Sequence, residues 1–439
     1  MSRSVTLVVL HLVYYLLLLF AYHVCVLPLY EDYGFDADFD LRKAIAALVC
    51  IASLSFMIAP NSRSSEFLLR VILITGPTPA LVLVAGANLP IEFGMMVVLG
   101  FILVTKVAQF PWQFTLPTPR ISASTTQAIL TSIAVVGVVA LALAGGTRYL
   151  NFDIYRVYEF RRDAAAAVPD IFKYIIPNLS FAVIPLAMAL AIRAQRFGLA
   201  VLLMGCSLML AALSNHKGPA FYPLFIVATM WTTSRSKPEL WLLLCLITAV
   251  FFACAESLFS IAADGEMGMV VSDLLIRRVL MGPALLDYYH WQFFMDNASL
   301  LWAESRFGFG LFENPHGMTS PKLIANEYFG RAEMSANTGY VGSGFAQAKY
   351  FGVILYACVL GLLLAYVDRV SQRLGKSVAT AAFIVTVSNA ATGTDTTNLP
   401  LTGGLVVLVI FASLTAPLRC DYSKRIKFSF LSLDGYKKD

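Results

Sequence analysis

Long apolar stretches alternate with short polar ones along most of the chain. A stretch of about 20 apolar residues is long enough for a helix to cross the hydrocarbon core of a bilayer. The pattern therefore predicts an all-α polytopic membrane protein with about 12 transmembrane helices, which forms a single integral membrane domain over residues 1–439. The predicted spans lie near 5–29, 44–60, 71–89, 93–111, 125–145, 174–193, 198–214, 219–233, 239–262, 348–367, 378–393 and 399–417.

The charge of the short connections predicts the orientation of these spans. With the N-terminus in the cytoplasm, the inner connections are basic and the short outer turns are acidic or neutral, as the positive-inside rule requires. An even number of spans then places both termini inside. The first span follows MSRS and is too long for the apolar region of a secretory signal peptide, so we expect it to be retained. The inner connections read SRSSEFLLR, TLPTPRISAS, RAQR, SRSKPE and DRVSQRLGK, followed by the basic C-terminal tail.

Composition agrees with a membrane protein. Of the 439 residues, 58% are hydrophobic and 13% are charged, whereas a soluble domain carries about 25% charged residues. The 7 cysteines fall in predicted spans or in the inner tail, so we expect no disulfide framework on the outer side. The sequence contains no CxxC or HExxH pattern that would predict a metal site.

Two long outer segments, 146–173 and 263–347, gather nearly all of the outward positive charge. Long loops are translocated largely regardless of charge, so this distribution agrees with the positive-inside rule. In the first segment, NFDIYRVYEFRRDAAAAVPD repeats aromatic residues at helical spacing and places charged residues on another face. In the second, the Gly282-Pro283 pair is predicted to break one amphipathic helix into two. Such helices lie on the membrane surface instead of crossing it.

Adjacent arginines in these segments, Arg161 with Arg162 and Arg277 with Arg278, are candidate ligands for a lipid diphosphate. The planar fork of arginine forms bidentate hydrogen bonds with phosphate oxygens and stays charged at any relevant pH. Lys217, in the outer SNHKGP turn, would add a point charge. Each residue also has a structural interpretation, because the arginines can snorkel to lipid headgroups and Lys217 can simply belong to a polar helix-hairpin turn.

Candidates for proton transfer lie in the second outer segment. His290 follows Asp287 by three residues on one helical face, so Asp287 is predicted to orient it. His316 lies in the loop FENPHGMTSP, where its ring can face a cleft, although a lone loop histidine is more often structural. Four glutamates of the segment are possible partners that the sequence does not rank: Glu304, Glu313, Glu327 and Glu333.

The end of the second outer segment and the helix after it read ANTGYVGSGFAQAKYFGVILYACVLGLLLAY. This run is similar to the degenerate motif with which O-antigen or oligosaccharide repeat-unit polymerases (Wzy-type), and the related O-antigen ligases, enter the corresponding helix. The order of spans, with basic outer segments before the sixth and the tenth, resembles the same families over nearly the whole chain. No histidine directly precedes Asn337, unlike in many ligases, which favours the polymerases. The matching positions are Asn337, Thr338, Gly339, Gly342, Gly344, Phe351 and Gly352.

The resemblance implies a GT-C-like, metal-independent membrane glycosyltransferase without a cofactor. Such an enzyme polymerises undecaprenyl-diphosphate-linked repeat units into O-antigen or a related surface polysaccharide, as part of lipopolysaccharide biosynthesis, at the outer face of the bacterial inner membrane. His316, His290 or Asp287 would take the proton of the attacking hydroxyl. The arginines would stabilise the negative charge of the departing diphosphate.

Sugar and protein partners follow from the same resemblance. Tyr288, Trp291 and Asn337 are expected to bind sugars, although aromatic residues at this depth also commonly anchor a protein in the membrane interface. The substrates are expected to be undecaprenyl-diphosphate-linked glycans in the lipid bilayer. A chain-length regulator protein and a flippase are implied as possible partners, and no nucleic acid is expected.

Three other functions remain open. The first is an O-antigen ligase-like transferase. The second is a 12-helix transporter or flippase of lipid-linked oligosaccharide, which would place ionisable residues at the bilayer midplane and often show two similar halves. Lys106 and Glu256 instead lie near span ends, and no duplication is evident. The third is a membrane acyltransferase, whose HxxxD pattern His11 and His23 do not form.

Overall fold

The computed structural model describes residues 3–30, 33–58, 63–153, 157–263 and 269–418. These residues form helices joined by short connections. Two isolated β-bridges pair Asp38 with Ala87 and Ile121 with Thr415. The basic tail that the sequence assigns to the inner side lies outside the described residues.

The helices occur throughout the described chain. The α-helices are α1 (Arg3–Ala21), α2 (Leu27–Tyr30), α3 (Leu41–Met57), α4 (Ser64–Thr75), α5 (Pro77–Gly86), α6 (Ile91–Gln109), α7 (Ala123–Leu143), α8 (Val157–Ala167), α9 (Phe172–Asn178), α10 (Ile184–Arg193), α11 (Phe197–Ser214), α12 (Gly218–Thr233), α13 (Pro238–Ala262), α14 (Gly282–Asp296), α15 (Ser320–Phe329), α16 (Tyr340–Leu374), α17 (Lys376–Thr392) and α18 (Leu405–Leu414). Short 3₁₀ turns occupy Gly146–Tyr149, Arg306–Gly308 and Thr396–Asn398, and π-helical turns occupy Tyr22–Val26, Leu179–Val183 and Ser272–Met281.

Eight helical stretches of the described residues are long and apolar enough to cross a membrane, so the chain is a polytopic, all-helical membrane protein. The other four predicted spans coincide with the shorter helices α3, α12, α17 and α18. A total of 12 crossings therefore stays a prediction. The eight stretches are Arg3–Tyr30, Ser64–Gly86, Ile91–Gln109, Ala123–Leu143, Phe172–Arg193, Phe197–Ser214, Pro238–Ala262 and Tyr340–Leu374.

Each of the three π-helical turns is followed by a proline within two residues: Pro28, Pro185 and Pro283 respectively. A proline ring clashes with the carbonyl of the residue four positions earlier and donates no hydrogen bond. The wider π turn moves that carbonyl aside, so the backbone can stay helical. Gly282 accordingly has helical angles, φ −57° and ψ −50°. The predicted break at the Gly282-Pro283 pair is wrong, because the chain changes helix type there without breaking.

The connections gather at two ends of the helical bundle. At the end that carries the two long segments, which we call the loop end, the Lys43 ammonium donates to the Leu89 carbonyl at 2.7 Å and the Asn178 amide donates to the Leu401 carbonyl at 2.8 Å. At the opposite end, the Ser65 amide donates to Asp368 at 2.8 Å. This alternation agrees with helices that run back and forth across one layer.

Two helices lie at the centre of the bundle. All residues of α5 are buried, and in α17 every residue from Val378 to Val387 is buried. A helix that is apolar on all sides is stable only when other helices surround it. The remaining spans pack around these two, and the outward faces of α7 and α13 carry exposed apolar side chains such as Leu143 and Phe259.

Impermeant thiol labelling tests which end faces outward. We expect a cysteine at Leu311, which is 75% exposed at the loop end, to react in intact spheroplasts of a cysteine-free variant. A cysteine at Ser236, exposed at the opposite end, should react only after the membrane is permeabilised, because basic connections stay in the cytoplasm. Labelling in the reverse order would contradict the predicted orientation.

Candidate functional site

The helix α16 is broken near its start. Ala348 (φ −153°, ψ 38°) and Lys349 (φ 50°, ψ −136°) leave the helical region, so residues 340–347 form a separate half-helix. All eight residues of this half-helix are buried. The sequence predicted the start of a span near residue 348, where the long part of α16 begins, but it did not predict the break and assigned 340–347 to an outer loop. The predicted loop is instead a buried half-helix, because its small residues allow it to pack inside the bundle.

Two glycines permit the break. A Cβ atom added to Gly352 would overlap the carbonyl oxygen of Gly344, and one added to Gly344 would lie 2.9 Å from the carbonyl oxygen of Gly352. Real Cβ atoms essentially never approach so closely. The half-helix and the long part of α16 therefore touch backbone to backbone at these positions, which only glycine allows.

Asp287, on α14, holds the N-terminus of the half-helix. Its Oδ1 atom accepts hydrogen bonds from the Gly342 amide at 3.0 Å and from the Thr338 hydroxyl. A carboxylate is favourable at the positive end of a helix dipole. Burial raises the pKa of Asp287 to about 7, against the lowering effect of these two hydrogen bonds.

His290 does not contact Asp287 in this structure. Its Nδ1–H donates to the Leu286 carbonyl at 2.8 Å, within the same helix, and the side chain is completely buried. Burial lowers the pKa of His290 to about 4. Asp287 instead faces the half-helix, so the predicted orientation of His290 by Asp287 is wrong, although both residues lie on α14.

Side chains from three distant segments meet at the break and form what we call the carboxylate site: Glu304, Gln347 and Asp395. The Gln347 amide nitrogen lies 2.9 Å from Glu304 Oε1 and 3.4 Å from Asp395 Oδ2. A single amide nitrogen therefore lies within reach of both carboxylates. The Gln347 side chain is completely buried, and its oxygen accepts from the Trp302 amide at 2.8 Å.

The carboxylate site has further hydrogen bonds that fix its geometry. The Tyr356 hydroxyl donates to Asp395 Oδ1 at 3.1 Å and accepts from the Trp302 indole at 3.0 Å. The Ser320 hydroxyl donates to Glu304 at 2.9 Å. Burial raises the pKa of Glu304, the Ser320 hydrogen bonds lower it, and the negative charge of Asp395 raises it further, so that the net shift is upward. A raised pKa makes the Glu304 carboxylate a stronger base than an exposed one.

His316 lies near the end of α14 that leads to this site. Its Nε2 atom is 2.8 Å from the Ala298 carbonyl, which can only accept, so Nε2 carries the hydrogen and the neutral ring keeps its lone pair on Nδ1. The ring packs edge-on against Phe293 and Phe294 at centroid distances of 5.6 and 5.8 Å. These contacts fix the ring orientation of the predicted base.

A second group of charges, the arginine cluster, consists of Asp273, Arg277, Arg278 and Lys217. The Asp273 carboxylate accepts from Arg277 Nε at 2.6 Å and from Arg278 Nε at 2.9 Å. Burial acts to raise the pKa of Asp273, but the two arginines overcome this and hold the pKa below its usual value. The adjacent arginines are thus drawn together by one carboxylate.

The two arginines differ in their surroundings. The Arg277 guanidinium also lies over the Tyr30 ring, 4.3 Å from its centroid, and its side chain is 15% exposed. The Arg278 side chain is 34% exposed. The Arg277 guanidinium is thus engaged by the Asp273 ion pair and by the Tyr30 ring. The Arg278 side chain is more accessible to solvent.

Lys217, from a distant part of the chain, lies near the two arginines of the arginine cluster. Burial lowers the pKa of Lys217, and the positive charge of Arg278 lowers it further, which requires the two side chains to lie within electrostatic reach. Arg162 is exposed, and no hydrogen bond or ion pair within the described chain joins it to this cluster. The side chain of Arg161 lies outside the described residues.

The arginine cluster and His316 are well separated. Arg278 and Phe294, which contacts the His316 ring, lie on one continuous helix. At about 1.5 Å of rise per residue they are on the order of 20 Å apart. The predicted diphosphate ligands and His316 are therefore at opposite ends of the same helix.

The predicted sugar-binding residues do not form one group. Trp291 is 7% exposed and stacks on Tyr288, with ring centroids 6.0 Å apart. Tyr288 also contacts Phe93 of α6, so both rings take part in packing. Asn337 is exposed, and its side-chain oxygen accepts from the Ser335 hydroxyl at 3.0 Å.

Sequence reasoning did not identify Gln347 or Asp395. The only signal was their position, because Gln347 directly precedes an apolar run and Asp395 lies in the polar turn TGTDTTNLP between two apolar helices.

Among the described residues, no group of three or more histidine, cysteine, aspartate or glutamate side chains is placed to hold a metal ion. Comparisons of the chain with protein-family models, with characterised proteins and with solved structures find no match.

Replacement of Gly352 tests the backbone contact at the break. We expect Gly352→Ala to lower the thermal unfolding midpoint by several degrees or more, because the added methyl group forces the half-helix away from α16. Gly205→Ala is the matched control, since a Cβ there meets no atom within 4 Å. Equal midpoints for both variants, measured by fluorescence in detergent, would show that the break does not have the described geometry.

Proposed function

We propose that the chain is a membrane glycosyltransferase that joins lipid-diphosphate-linked oligosaccharide units at the outer face of a bacterial inner membrane. The observation that carries this proposal is the pair of adjacent guanidinium groups, those of Arg277 and Arg278, that the Asp273 carboxylate holds together at the loop end. Two such groups near the membrane surface, with Lys217 as a further cation, suit a diphosphate group on a lipid. Protein cations can stabilise such a group where other enzymes use a divalent metal.

Arg278 is the proposed ligand of the diphosphate, and Arg277 positions it. Arg277 is engaged by Asp273 and by Tyr30, and its side chain is mostly buried. Arg278 shares Asp273 but is more exposed and lies nearer to Lys217 in electrostatic terms, since its effect on the Lys217 pKa is the larger one. The adjacent arginines therefore have different roles.

The separation of the two sites indicates which diphosphate binds at Arg278. A diphosphate leaves from the anomeric carbon that the acceptor hydroxyl attacks, so a base for that step lies within a few ångströms of the departing oxygen. Phe294, against which the His316 ring packs, is on the order of 20 Å from Arg278 along the helix. An oligosaccharide acceptor fits this spacing, because its attacking hydroxyl is several sugars away from its own diphosphate.

The transfer reaction is then assigned to the carboxylate site. The acceptor hydroxyl oxygen forms a bond with the anomeric carbon of the donor, and the bond from that carbon to the diphosphate oxygen breaks with its electron pair. Glu304, whose pKa is raised, takes the hydroxyl proton. His316, with its Nδ1 lone pair, is the alternative base at the same end of α14.

Two cations lie close in sequence to the carboxylate site and suit the donor diphosphate. Arg306 is exposed, donates to the Tyr174 hydroxyl and lies over that ring, 5.6 Å from its centroid. The Lys349 ammonium donates to the Met295 carbonyl at 3.1 Å, beside the break. Each carries a positive charge on the side of the site where the departing diphosphate would develop negative charge.

A transporter of lipid-linked oligosaccharide is the second candidate, and the broken helix α16 favours it. Carriers commonly use discontinuous helices whose half-helix ends and unpaired backbone form the substrate site. The half-helix 340–347 and the carboxylate site beside it have this form. A carrier moves an intact substrate, whereas a transferase releases lipid diphosphate and lengthens the glycan.

Substitution of Arg278 tests the diphosphate site. The purified protein is given a lipid-linked oligosaccharide, and polymer ladders are measured on a gel at matched protein amounts. We expect Arg278→Lys to lose most of the polymer yield and Arg278→Ala nearly all of it, because a point charge does not replace a bidentate fork. Arg42→Lys, exposed at the same end, should keep full activity. An active Arg278→Ala protein would contradict the assignment.

Paired substitutions at the carboxylate site identify the base. We expect Glu304→Gln to reduce polymer formation about a hundredfold or more at neutral pH, since the amide cannot accept the proton. Glu313→Gln, on an exposed loop of the same segment, is the control and should be unaffected. A normal Glu304→Gln rate with a comparable loss in His316→Ala would assign the base to His316. Transport of intact substrate with no ladder in the unsubstituted protein would support the carrier.

A further inference from the structure

Arg70 of α4 is buried at the opposite end of the bundle with an incomplete set of partners. Its side chain is 1% exposed, and its Nη2 atom donates to the Ile58 carbonyl at 2.9 Å. Within the described part of the chain, Nε and Nη1 have no hydrogen-bond partner. A buried charged donor without a partner is more costly than a neutral one. Such a group has donors that an anion bound nearby can help to satisfy.

Other buried polar atoms near Arg70 lack partners as well. His11 is completely buried and lies within electrostatic reach of Arg70. Its Nδ1 atom is 2.8 Å from the Leu7 carbonyl, while its Nε2 atom has no partner among the described residues. The hydroxyl of Ser64, at the first position of α4, is in the same situation. Several unsatisfied polar atoms thus lie close together at this end of the molecule.

The net charge around Arg70 is positive. Glu239 is 1% exposed and pairs with both Arg3 and Lys376, the latter at 3.4 Å. Arg70 interacts electrostatically with Glu239 and with Glu66. The cations of this region outnumber its carboxylates even though all of them share these two acids. The cations are Arg3, Arg70, Lys237 and Lys376.

A small cavity lies beside this cluster. Its volume is about 90 Å³, and it is lined by Arg3, Thr6, Leu7, Lys237 and Leu240. Arg3 also pairs with Glu239, and the Leu7 carbonyl is the contact of His11. Two cations with long side chains, Arg3 and Lys237, therefore line this cavity, and Arg3 lies within electrostatic reach of Arg70.

We propose that this cavity binds a phosphate-bearing anion. Arg3 and Lys237 contact its oxygens, and the buried Arg70 guanidinium, which lies within electrostatic reach of Arg3, adds to the positive potential of the cavity. Arginine and lysine together suit a phosphate group, one through its fork and the other as a point charge. The phosphate belongs either to the headgroup of an anionic phospholipid in the adjacent leaflet or to a free phosphate. The site is independent of the glycosyl transfer proposed above.

Thermal unfolding of the full-length protein in neutral detergent tests the site. We expect phosphatidylglycerol, compared with phosphatidylcholine, to raise the unfolding midpoint of the unsubstituted protein by several degrees. The double variant Arg3→Gln and Lys237→Gln should lose this rise. Lys43→Gln is the control, because Lys43 lies at the loop end and donates to backbone carbonyls. Lys376 still pairs with Glu239 when Arg3 is replaced. Arg70 is left unchanged, because its side chain is completely buried and its loss would itself destabilise the fold.

The source of the phosphate is distinguished in the same assay. A rise with phosphatidylglycerol but none with inorganic phosphate identifies a lipid headgroup, whereas an equal rise with both identifies a free anion. Native mass spectrometry should then show one fewer bound phosphatidylglycerol on the double variant than on the control in the first case. An unchanged midpoint with both additives, or an equal response of the double variant and the control, would overturn the proposal.

Discussion

A backbone amide that leaves a helix inside an apolar bundle needs another acceptor, because an unpaired polar group there is costly and no bulk water reaches it. The half-helix before the break in α16 has such an amide at its start, where Asp287 accepts from Gly342. At the break itself, two amides of the neighbouring loop donate to the Ala346 and Gln347 carbonyls, and the Gln347 side chain accepts from the Trp302 amide. The polar residues of the candidate site are thus the same groups that make the irregular backbone possible.

The sequence could predict those parts of the fold that depend on local composition, but not those that depend on contacts between distant residues. Apolar length located the spans, and it located the start of the long part of α16 at residue 348, because both depend on local composition. The burial of 340–347 depends instead on backbone contact between Gly344 and Gly352, which brings no periodic signal. The sequence likewise did not predict that the helix continues through Gly282. A π turn before a proline depends on packing and cannot be read from the Gly282-Pro283 pair alone.

The candidate site was predictable to a similar, limited degree. Charge placement grouped Lys217 with the arginines, because outward cations are rare in a chain that follows the positive-inside rule. Spacing along one helix suggested a pair of Asp287 with His290, but each side chain faces a different neighbour. Asp395 was missed because only the fold brings its short turn to the side chain of Gln347.

The carboxylate of Asp273 already occupies the guanidinium groups of Arg277 and Arg278. A diphosphate that binds there competes with this resident anion, so part of its attraction is offset by the ion pairs it displaces. A diphosphate bound there would have a shorter residence time than on two unoccupied arginines, since the carboxylate stays close enough to replace it. For the proposed polymerising function, release after each addition would limit turnover as much as capture does.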